Sequence, residues 1–262
     1  VDIDHQRFSS EPTIGLDSLL EDQELPMFIA MDEPKHAQQR KVVQPVVAPR
    51  NLANLEPTIR KRVCAILDDL PDDEPFNWVD RVSIELTTQM LATLFDFPFE
   101  ERRKLTRWSD VATATPKSGI VESADQRRQE LFECLDYFSR LRDERVEKPG
   151  GFDLLSMLAH GASTRNMPPL EFLGNLLLLI VGGNDTTRNS ISGGVLAMNR
   201  FPDELAKLRA DPGKIPNAVA EIIRWQTPLA FMRRTAAEDV ELNGQKIHKG
   251  DRVVMWYVSG NR

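Results

Sequence analysis

The sequence predicts a mainly α-helical chain with a small β-sheet near its C-terminal end, an α+β fold. Apolar residues recur at helical spacing through most of the chain before Arg224, and proline or glycine separates the segments. After Arg224 the period changes to short extended runs, and Asn243-Gly244 between two of them is a hairpin signal. A chain of 262 residues can build one large core, so residues 1–262 are expected to form a single domain.

The helices follow in order from their caps and apolar faces. Asp32 before Glu33-Pro34 has the character of an N-cap, so the first clear helix should begin there and run through Val43. The first 30 residues predict an irregular region with one short helix near Ser18. Further helices are expected at 51–70, 77–95, 100–111, 124–145 and 153–159, and a long central helix between 167 and 201. Short strands are expected at 233–236, 240–242, 245–247 and 252–258.

Composition argues against several classes of function. The net charge is -7 and the basic residues are interspersed with acids, which disfavours nucleic-acid binding. The longest strongly apolar run, 176–181, is far shorter than the roughly 18 residues that span a bilayer. Cys64 and Cys134 lie in helical, charged surroundings, as expected for reduced thiols of a cytoplasmic protein. The four histidines are too scattered to form a metal site.

The most informative stretch is Gly-Gly-Asn-Asp-Thr-Thr at 182–187, inside the most apolar predicted helix. A glycine costs about 1 kcal/mol relative to alanine in a helix interior, and a buried aspartate needs hydrogen-bond partners. Gly182 and Gly183 would leave room for something flat against the helix. Thr186 can bond back to the Gly182 carbonyl and open the helix beside Asp185. The stretch predicts a ligand site; the alternative is a glycine-mediated helix crossing with a capping Asp-Thr pair.

Two pairs of residues have helical spacing. Glu221 and Arg224 share one helix face, an arrangement that is usually a weak, solvated ion pair. His36 and Arg40 lie one turn apart, and together they suit an anionic carboxylate. The alternative for the second pair is that both side chains are simply exposed.

Adjacent arginines at 233 and 234 precede the predicted hairpin. Because neighbouring strand residues point to opposite faces, one of the two should face outward.

In this order, the four patterns resemble the cytochrome P-450 family of haem-thiolate monooxygenases. The resemblance implies the P-450 fold, haem b as cofactor, and proton delivery by Asp185 and Thr186 during oxygen activation. It implies that Glu221 and Arg224 form a structural ion pair, and that Arg234, rather than Arg233, meets a haem propionate. The residues that the resemblance places against the cofactor are His36, Arg40, Gly182, Gly183 and Arg234.

Longer stretches at 183–190, 225–236 and 256–262 resemble the soluble bacterial alkane-hydroxylating subfamily. This implies oxygen insertion at the terminal carbon of medium-chain alkanes or fatty acids. Electrons would pass from NAD(P)H through a ferredoxin reductase and a ferredoxin. An apolar substrate pocket is expected, although apolar residues at such spacing are also typical of plain core. Its expected lining is Phe28, Ile29, Leu178, Val181, Leu229, Ala230 and Phe231.

Family members carry a Phe-x-x-Gly-x-x-x-Cys-like loop whose thiolate binds the iron, and this sequence has no such loop. Neither Cys64 nor Cys134 has the required glycine and aromatic context. The chain is therefore expected to be an internal fragment of the P-450 domain, truncated at both ends. It should be inactive alone and give no thiolate-type spectrum with carbon monoxide. Two alternatives stay open: a non-enzymatic helical binding protein for an apolar ligand, and a P-450 that acts on sterols or terpenes.

Overall fold

The computed structural model describes residues 1–16, 25–115 and 117–262, so the short helix expected near Ser18 lies outside the described residues. The described part is mostly helical, and a π-helical stretch, Val79–Ile84, leads directly into the third α-helix. The α-helices are α1 (Lys35–Val43), α2 (Pro49–Asp68), α3 (Glu85–Phe95), α4 (Arg103–Thr113), α5 (Ala124–Val146), α6 (Leu154–His160), α7 (Pro169–Arg200), α8 (Pro202–Ala210), α9 (Ile215–Gln226) and α10 (Tyr257–Gly260).

Within the described residues, five short strands form two antiparallel sheets. One sheet has the order β1-β2-β5, with β1 (Phe8–Ser9), β2 (Met232–Ala236) and β5 (Arg252–Met255). The other is a hairpin of β3 (Val240–Leu242) and β4 (Gln245–Ile247). Asn243 and Gly244 connect these strands with φ of 51° and 78°, the positive values that a type I′ turn requires. The predicted hairpin is therefore confirmed.

Most predicted helices are present within a few residues of their expected ends. Three details of the predicted helices and strands are wrong. Asp32 does not cap α1: its carboxylate accepts hydrogen bonds from the Ser9 hydroxyl and from the Ser10 amide, and the helix begins only after Pro34. The strand expected at 252–258 ends at Met255, because the chain turns into α10. β1 was not predicted, since two residues carry no periodic signal.

The core lies around the first half of α7. Leu173, Leu176 and Ile180 are at most 1% exposed, and α7 packs against α3, α4, α5 and α9. An aromatic cluster fills the space between α3, α4 and α5, with ring centroids 5.1–6.4 Å apart: Phe95, Phe97, Trp108, Tyr137 and Phe138. The second half of α7 is only partly buried; Leu196, for example, is 47% exposed. None of the described helices combines the length and apolar character that a bilayer crossing requires.

Glycines allow close contact at the crossing of α7 and α9. A Cβ on Gly193 would overlap the Gln226 side chain, and one on Gly194 would lie 3.2 Å from Ile222 Cδ1. The glycine-mediated helix crossing considered for 182–187 thus occurs about three turns later in the same helix.

Candidate functional site

The two glycines at the centre of α7 have different surroundings. Gly182 is exposed, and a Cβ built there would meet no atom within 4 Å. A Cβ on Gly183 would lie 2.7 Å from Leu91 Cδ2, so this glycine accommodates the packing of α3. Of the two positions predicted to leave room for a ligand, only Gly182 faces open space.

Thr186 makes the back-bond that the sequence predicted. Its hydroxyl donates to the Gly182 carbonyl at 2.8 Å, and the Ser190 hydroxyl donates to the Thr186 carbonyl at 2.8 Å. The helix nevertheless continues without a break from Pro169 to Arg200. The predicted opening of the helix is therefore wrong, because these carbonyls accept a side-chain bond without leaving helical geometry.

Asp185 turns toward α4 and joins a small charged cluster. Its Oδ1 lies 2.7 Å from Arg188 Nη2, and the Ser109 hydroxyl donates to the same oxygen at 3.2 Å. The same Arg188 nitrogen lies 2.9 Å from Asp110 Oδ1. Burial raises the pKa of the Asp185 carboxyl above its ordinary value, although the Arg188 charge and the Ser109 bond oppose the rise. A carboxyl with a raised pKa is better suited to exchange protons near neutral pH.

α1 packs beside the same face of α7 that carries Gly182. Asn175 precedes Gly182 by seven residues, which differ by only about 20° around a helix and by about 10 Å along it. Around Asn175, Gln39 of α1 and Phe28 lie against α7. His36 Nδ1 lies 2.7 Å from the Phe28 carbonyl, and Phe28 and His36 also make an edge-on ring contact. His36 is thus linked to α7 through Phe28 and Asn175, while Arg40 is exposed to solvent.

Arg234 already binds a carboxylate. It is 8% exposed; its Nη2 lies 2.7 Å from Asp2 Oδ1 and its Nη1 donates to the Arg233 carbonyl at 2.9 Å. The Tyr257 hydroxyl donates to the other oxygen of Asp2 at 3.3 Å. Arg233 is also buried, so the expectation that one of the pair faces outward is wrong. β2 is the central strand of its sheet, and Ile14 of the N-terminal segment accepts from the Arg233 amide.

Glu221 and Arg224 form the ion pair that their spacing predicted. Arg224 donates from Nε at 2.7 Å and from Nη2 at 2.6 Å to the two carboxylate oxygens, which lowers the pKa of the Glu221 carboxyl. Both side chains are largely exposed. Arg224 also donates to the Asn261 carbonyl, and Asn261 donates to the Thr227 hydroxyl at 3.1 Å. The pair therefore joins the end of α9 to α10.

The residues predicted to line a substrate pocket have mixed environments. Phe28 belongs to the buried core, whereas Leu229 and Ala230 are exposed. The other members, Ile29, Leu178, Val181 and Phe231, are half-buried. Two surface grooves, of about 780 and 580 Å³, are lined by other residues, the larger between α4 and α5. The pocket stays a prediction.

Neither cysteine resembles a metal ligand. Cys134 is fully buried, which raises the pKa of its thiol, and Cys64 is exposed and free. Within the part of the chain that the structure describes, no group of three or more His, Cys, Asp or Glu side chains could hold a metal ion.

Sequence reasoning did not identify several polar residues of this region. Asn175 and Arg188 on α7 and Asp110 on α4 were not predicted to take part. Asn175 had a usable signal, an amide within a leucine-rich run, which breaks the same local rule as Asp185. Asp110 had no such signal in the sequence, because only the packing of α4 on α7 brings its side chain to Arg188.

Comparison with known proteins gives relatives along almost the whole chain. Linalool 8-monooxygenase from Pseudomonas putida is 35% identical over 257 residues, which are 98% of this chain and 63% of that protein. Steroid C26-monooxygenase from Mycolicibacterium smegmatis is 34% identical, over 90% of this chain and 54% of that protein. The chain thus spans a little over half to just under two thirds of these relatives. No family model matches it.

Two solved structures have the same fold. CYP153D17 from Sphingomonas sp. PAMC 26605 is 49% identical with a TM-score of 0.89, covering 100% of this chain and 66% of that one. Cytochrome P-450-153 from Novosphingobium aromaticivorans is 47% identical with a TM-score of 0.88, covering 98% and 66%. With this identity and this agreement in fold, the chain belongs to the cytochrome P-450 family.

Proposed function

We propose that the chain is part of a haem-dependent monooxygenase that hydroxylates the terminal carbon of medium-chain alkanes or fatty acids. The observation that carries the proposal is the centre of α7, where an open glycine surface lies about one turn from a half-buried carboxyl and a threonine hydroxyl. The identity of 47–49% with two solved cytochrome P-450 structures supports the monooxygenase class. A relative 30% identical to the chain is named as a methyl-branched lipid omega-hydroxylase, which supports oxidation at a chain end.

The residues of this chain fit haem b, the cofactor of the family. Gly182 presents bare backbone to open space, as a flat ligand requires. Arg234 holds the Asp2 carboxylate, so its site has the chemistry to hold a propionate instead. His36 and Arg40 would supply further propionate contacts from α1. The space beside Gly183, in contrast, is filled by the Leu91 side chain, so Gly183 would contribute only by allowing α3 to pack closely.

Haem, when bound, would supply the iron at which dioxygen is activated. The chain's part is to deliver protons and to exclude water. Asp185 would take up a proton because its pKa is raised, and Arg188 would hold its carboxylate between α4 and α7. The Thr186 hydroxyl, fixed to the Gly182 carbonyl, would donate its hydrogen toward that carbonyl and accept with its remaining lone pair. Electrons would come from a ferredoxin and its reductase.

The proposal is tested with Thr186→Ala in the haem-loaded full-length parent enzyme. The assay supplies a medium-chain alkane, NADH, a ferredoxin and its reductase. Loss of the hydroxyl should leave NADH consumption in place but lower the alcohol formed per NADH several-fold, because proton supply is disturbed. Thr187→Ala is the matched control, since Thr187 is the adjacent, exposed threonine. Equal coupling in the two variants would contradict the role of Thr186. A wild-type enzyme that forms no terminal alcohol would contradict the substrate.

A P-450 acting on a terpene or sterol is the second candidate. The names linalool 8-monooxygenase and steroid C26-monooxygenase, at 35% and 34% identity, support it. Competition between an alkane and linalool for the same enzyme, followed by product analysis, separates the two. Family membership argues against the non-enzymatic binding protein.

A further inference from the structure

A buried polar network joins α7 to α1 near the start of the long helix. Asn175 is 0%, Gln39 3% and Glu171 7% exposed. The Asn175 amide donates to Gln39 Oε1 at 3.0 Å, and the Gln39 amide donates to Glu171 Oε1 at 2.5 Å. Lys35 Nζ donates to the other Glu171 oxygen at 2.9 Å and closes the network at the surface. Burying polar groups to this degree costs folding free energy unless they form hydrogen bonds with one another or with a further partner.

The further partner is the backbone of Phe28. Asn175 Oδ1 accepts from the Phe28 amide at 2.8 Å. The carbonyl of the same residue lies 2.7 Å from His36 Nδ1. Gly174 lets this segment approach, because a Cβ there would overlap the Pro26 carbonyl. Both polar groups of one peptide residue are thus held, one by α7 and the other by α1.

The hydrogen bond between the Phe28 carbonyl and the His36 ring determines which ring nitrogen must carry a hydrogen. A backbone carbonyl only accepts, so Nδ1 must carry a hydrogen. A hydrogen bond from Nε2 to a propionate would require a second hydrogen on that nitrogen, as in the imidazolium form. Without a fixed Phe28 carbonyl, neither the tautomer nor the ring orientation of His36 would be set. Asn175 therefore acts on His36 through a single intervening residue.

We propose that Asn175 is a positioning residue, which by holding the Phe28 amide fixes both the short 3₁₀ helix Phe28–Ala30 and the hydrogen on His36 Nδ1. The proposal rests on the proposed function only in that His36 is taken to face the cofactor. Asn175 is not needed to fill space, since a leucine would do so in this leucine-rich helix. Its amide oxygen is needed because the Phe28 N–H is part of the backbone and cannot be removed; it would otherwise be buried without a partner.

The test compares Asn175→Leu with Asn175→Asp in the haem-loaded enzyme. Leucine removes the acceptor, whereas a protonated aspartic acid in this buried place keeps an oxygen for Phe28 and a donor for Gln39. Asn184→Leu is the matched control: Asn184 is also 0% exposed on α7, but its Oδ1 accepts from Thr87 of α3 at 2.8 Å. If Asn175→Leu does not fold, Asn175→Ala takes its place.

The first measurement is amide hydrogen exchange of residues 25–31 by mass spectrometry. Loss of one buried backbone hydrogen bond, about 1.4 kcal/mol, should speed exchange there about tenfold in Asn175→Leu. Asn175→Asp should restore slow exchange, and Asn184→Leu should leave it unchanged. Unchanged exchange in Asn175→Leu, or equal acceleration in Asn184→Leu, would overturn the proposal.

The second measurement is ¹⁵N NMR of His36 in the ferrous carbon monoxide complex, which is diamagnetic. Wild type and Asn175→Asp should show a hydrogen on Nδ1, and in Asn175→Leu the Nδ1 hydrogen should be lost in part of the population. A His36 signal that is the same in all variants would overturn the link from Asn175 to His36. Neither measurement uses a substrate, so a failure of alkane hydroxylation would leave both outcomes readable.

Discussion

Alanine at Gly182 should have opposite effects on the haem-free chain and on haem binding. Gly182 lies in the interior of α7, and a Cβ there meets nothing within 4 Å. Alanine is favoured over glycine at such a position by about 0.5–1 kcal/mol. Gly182→Ala should therefore raise the stability of the 262-residue chain by that amount, a rise in Tm of about 2–4 °C at most.

Haem binding should weaken in the same variant if the open surface at Gly182 is where the cofactor lies. Forcing a methyl group into a filled contact costs about 1–3 kcal/mol, which corresponds to a roughly 5–150-fold loss of affinity. The assays are thermal unfolding of the haem-free chain and haem retention in the loaded enzyme against a competing haem acceptor.

Gly174→Ala is the matched control on the same helix. Its Cβ would overlap the Pro26 carbonyl, which is backbone and cannot rotate away, so this variant should be destabilised by about 1–3 kcal/mol. Gly183→Ala should lie between the two, because Leu91 Cδ2 at 2.7 Å is the tip of a flexible side chain. Destabilisation by Gly182→Ala, or unchanged haem retention, would refute the assignment of this surface to the cofactor.

Three further predictions concern charge, thiols and the hairpin. Because burial raises the pKa of Asp185, the folded chain holds its proton more tightly than the unfolded chain, so this group's contribution to stability is lost as pH rises through the folded pKa. The difference in urea midpoint between wild type and Asp185→Asn should therefore change as pH rises above the ordinary range of an aspartate pKa, and a constant difference would contradict the raised pKa. A thiol reagent should label exposed Cys64 in the native chain and buried Cys134 only after unfolding; two labels in the native state would contradict the buried site. Gly244→Ala should cost about 1–2 kcal/mol in unfolding free energy because φ at this turn is +78°, whereas an unchanged midpoint would mean that the turn adopts another form.

Sequence reasoning gave the helices because their periodicity and caps are local. Asp153 illustrates this: it was expected to open a short helix, and its side chain accepts from the Ser156 amide at 2.8 Å. Asp32 illustrates the limit. It has the same local character, but Ser9 and Ser10, more than 20 positions earlier, take its carboxylate. Local rules state what a side chain can bind, and long-range packing decides which partner it meets.

Long-range packing also explains why the surroundings of the candidate site residues could not be predicted from the sequence. Gly182 and Gly183 are equivalent in sequence, yet one faces open space and the other faces Leu91, because successive helix residues differ by about 100°. The burial of both Arg233 and Arg234 was also beyond local rules, since Ile14 and Asp2, from the other end of the chain, lie against these two residues.

Residues with different roles lie on different faces of α7 and at different positions along its axis. Asn175 and Gly182 lie on one side, where the first holds Phe28 and the second is open. Asp185 lies toward α4, and Gly193 lies against α9. Because every position is fixed by one helical register, inserting a single residue between Asn175 and Gly182 would rotate the open surface by about 100° relative to His36. Such an insertion should abolish haem retention even if α7 stays helical by circular dichroism. Retention of haem by that variant would show that the cofactor does not depend on the alignment of these two positions.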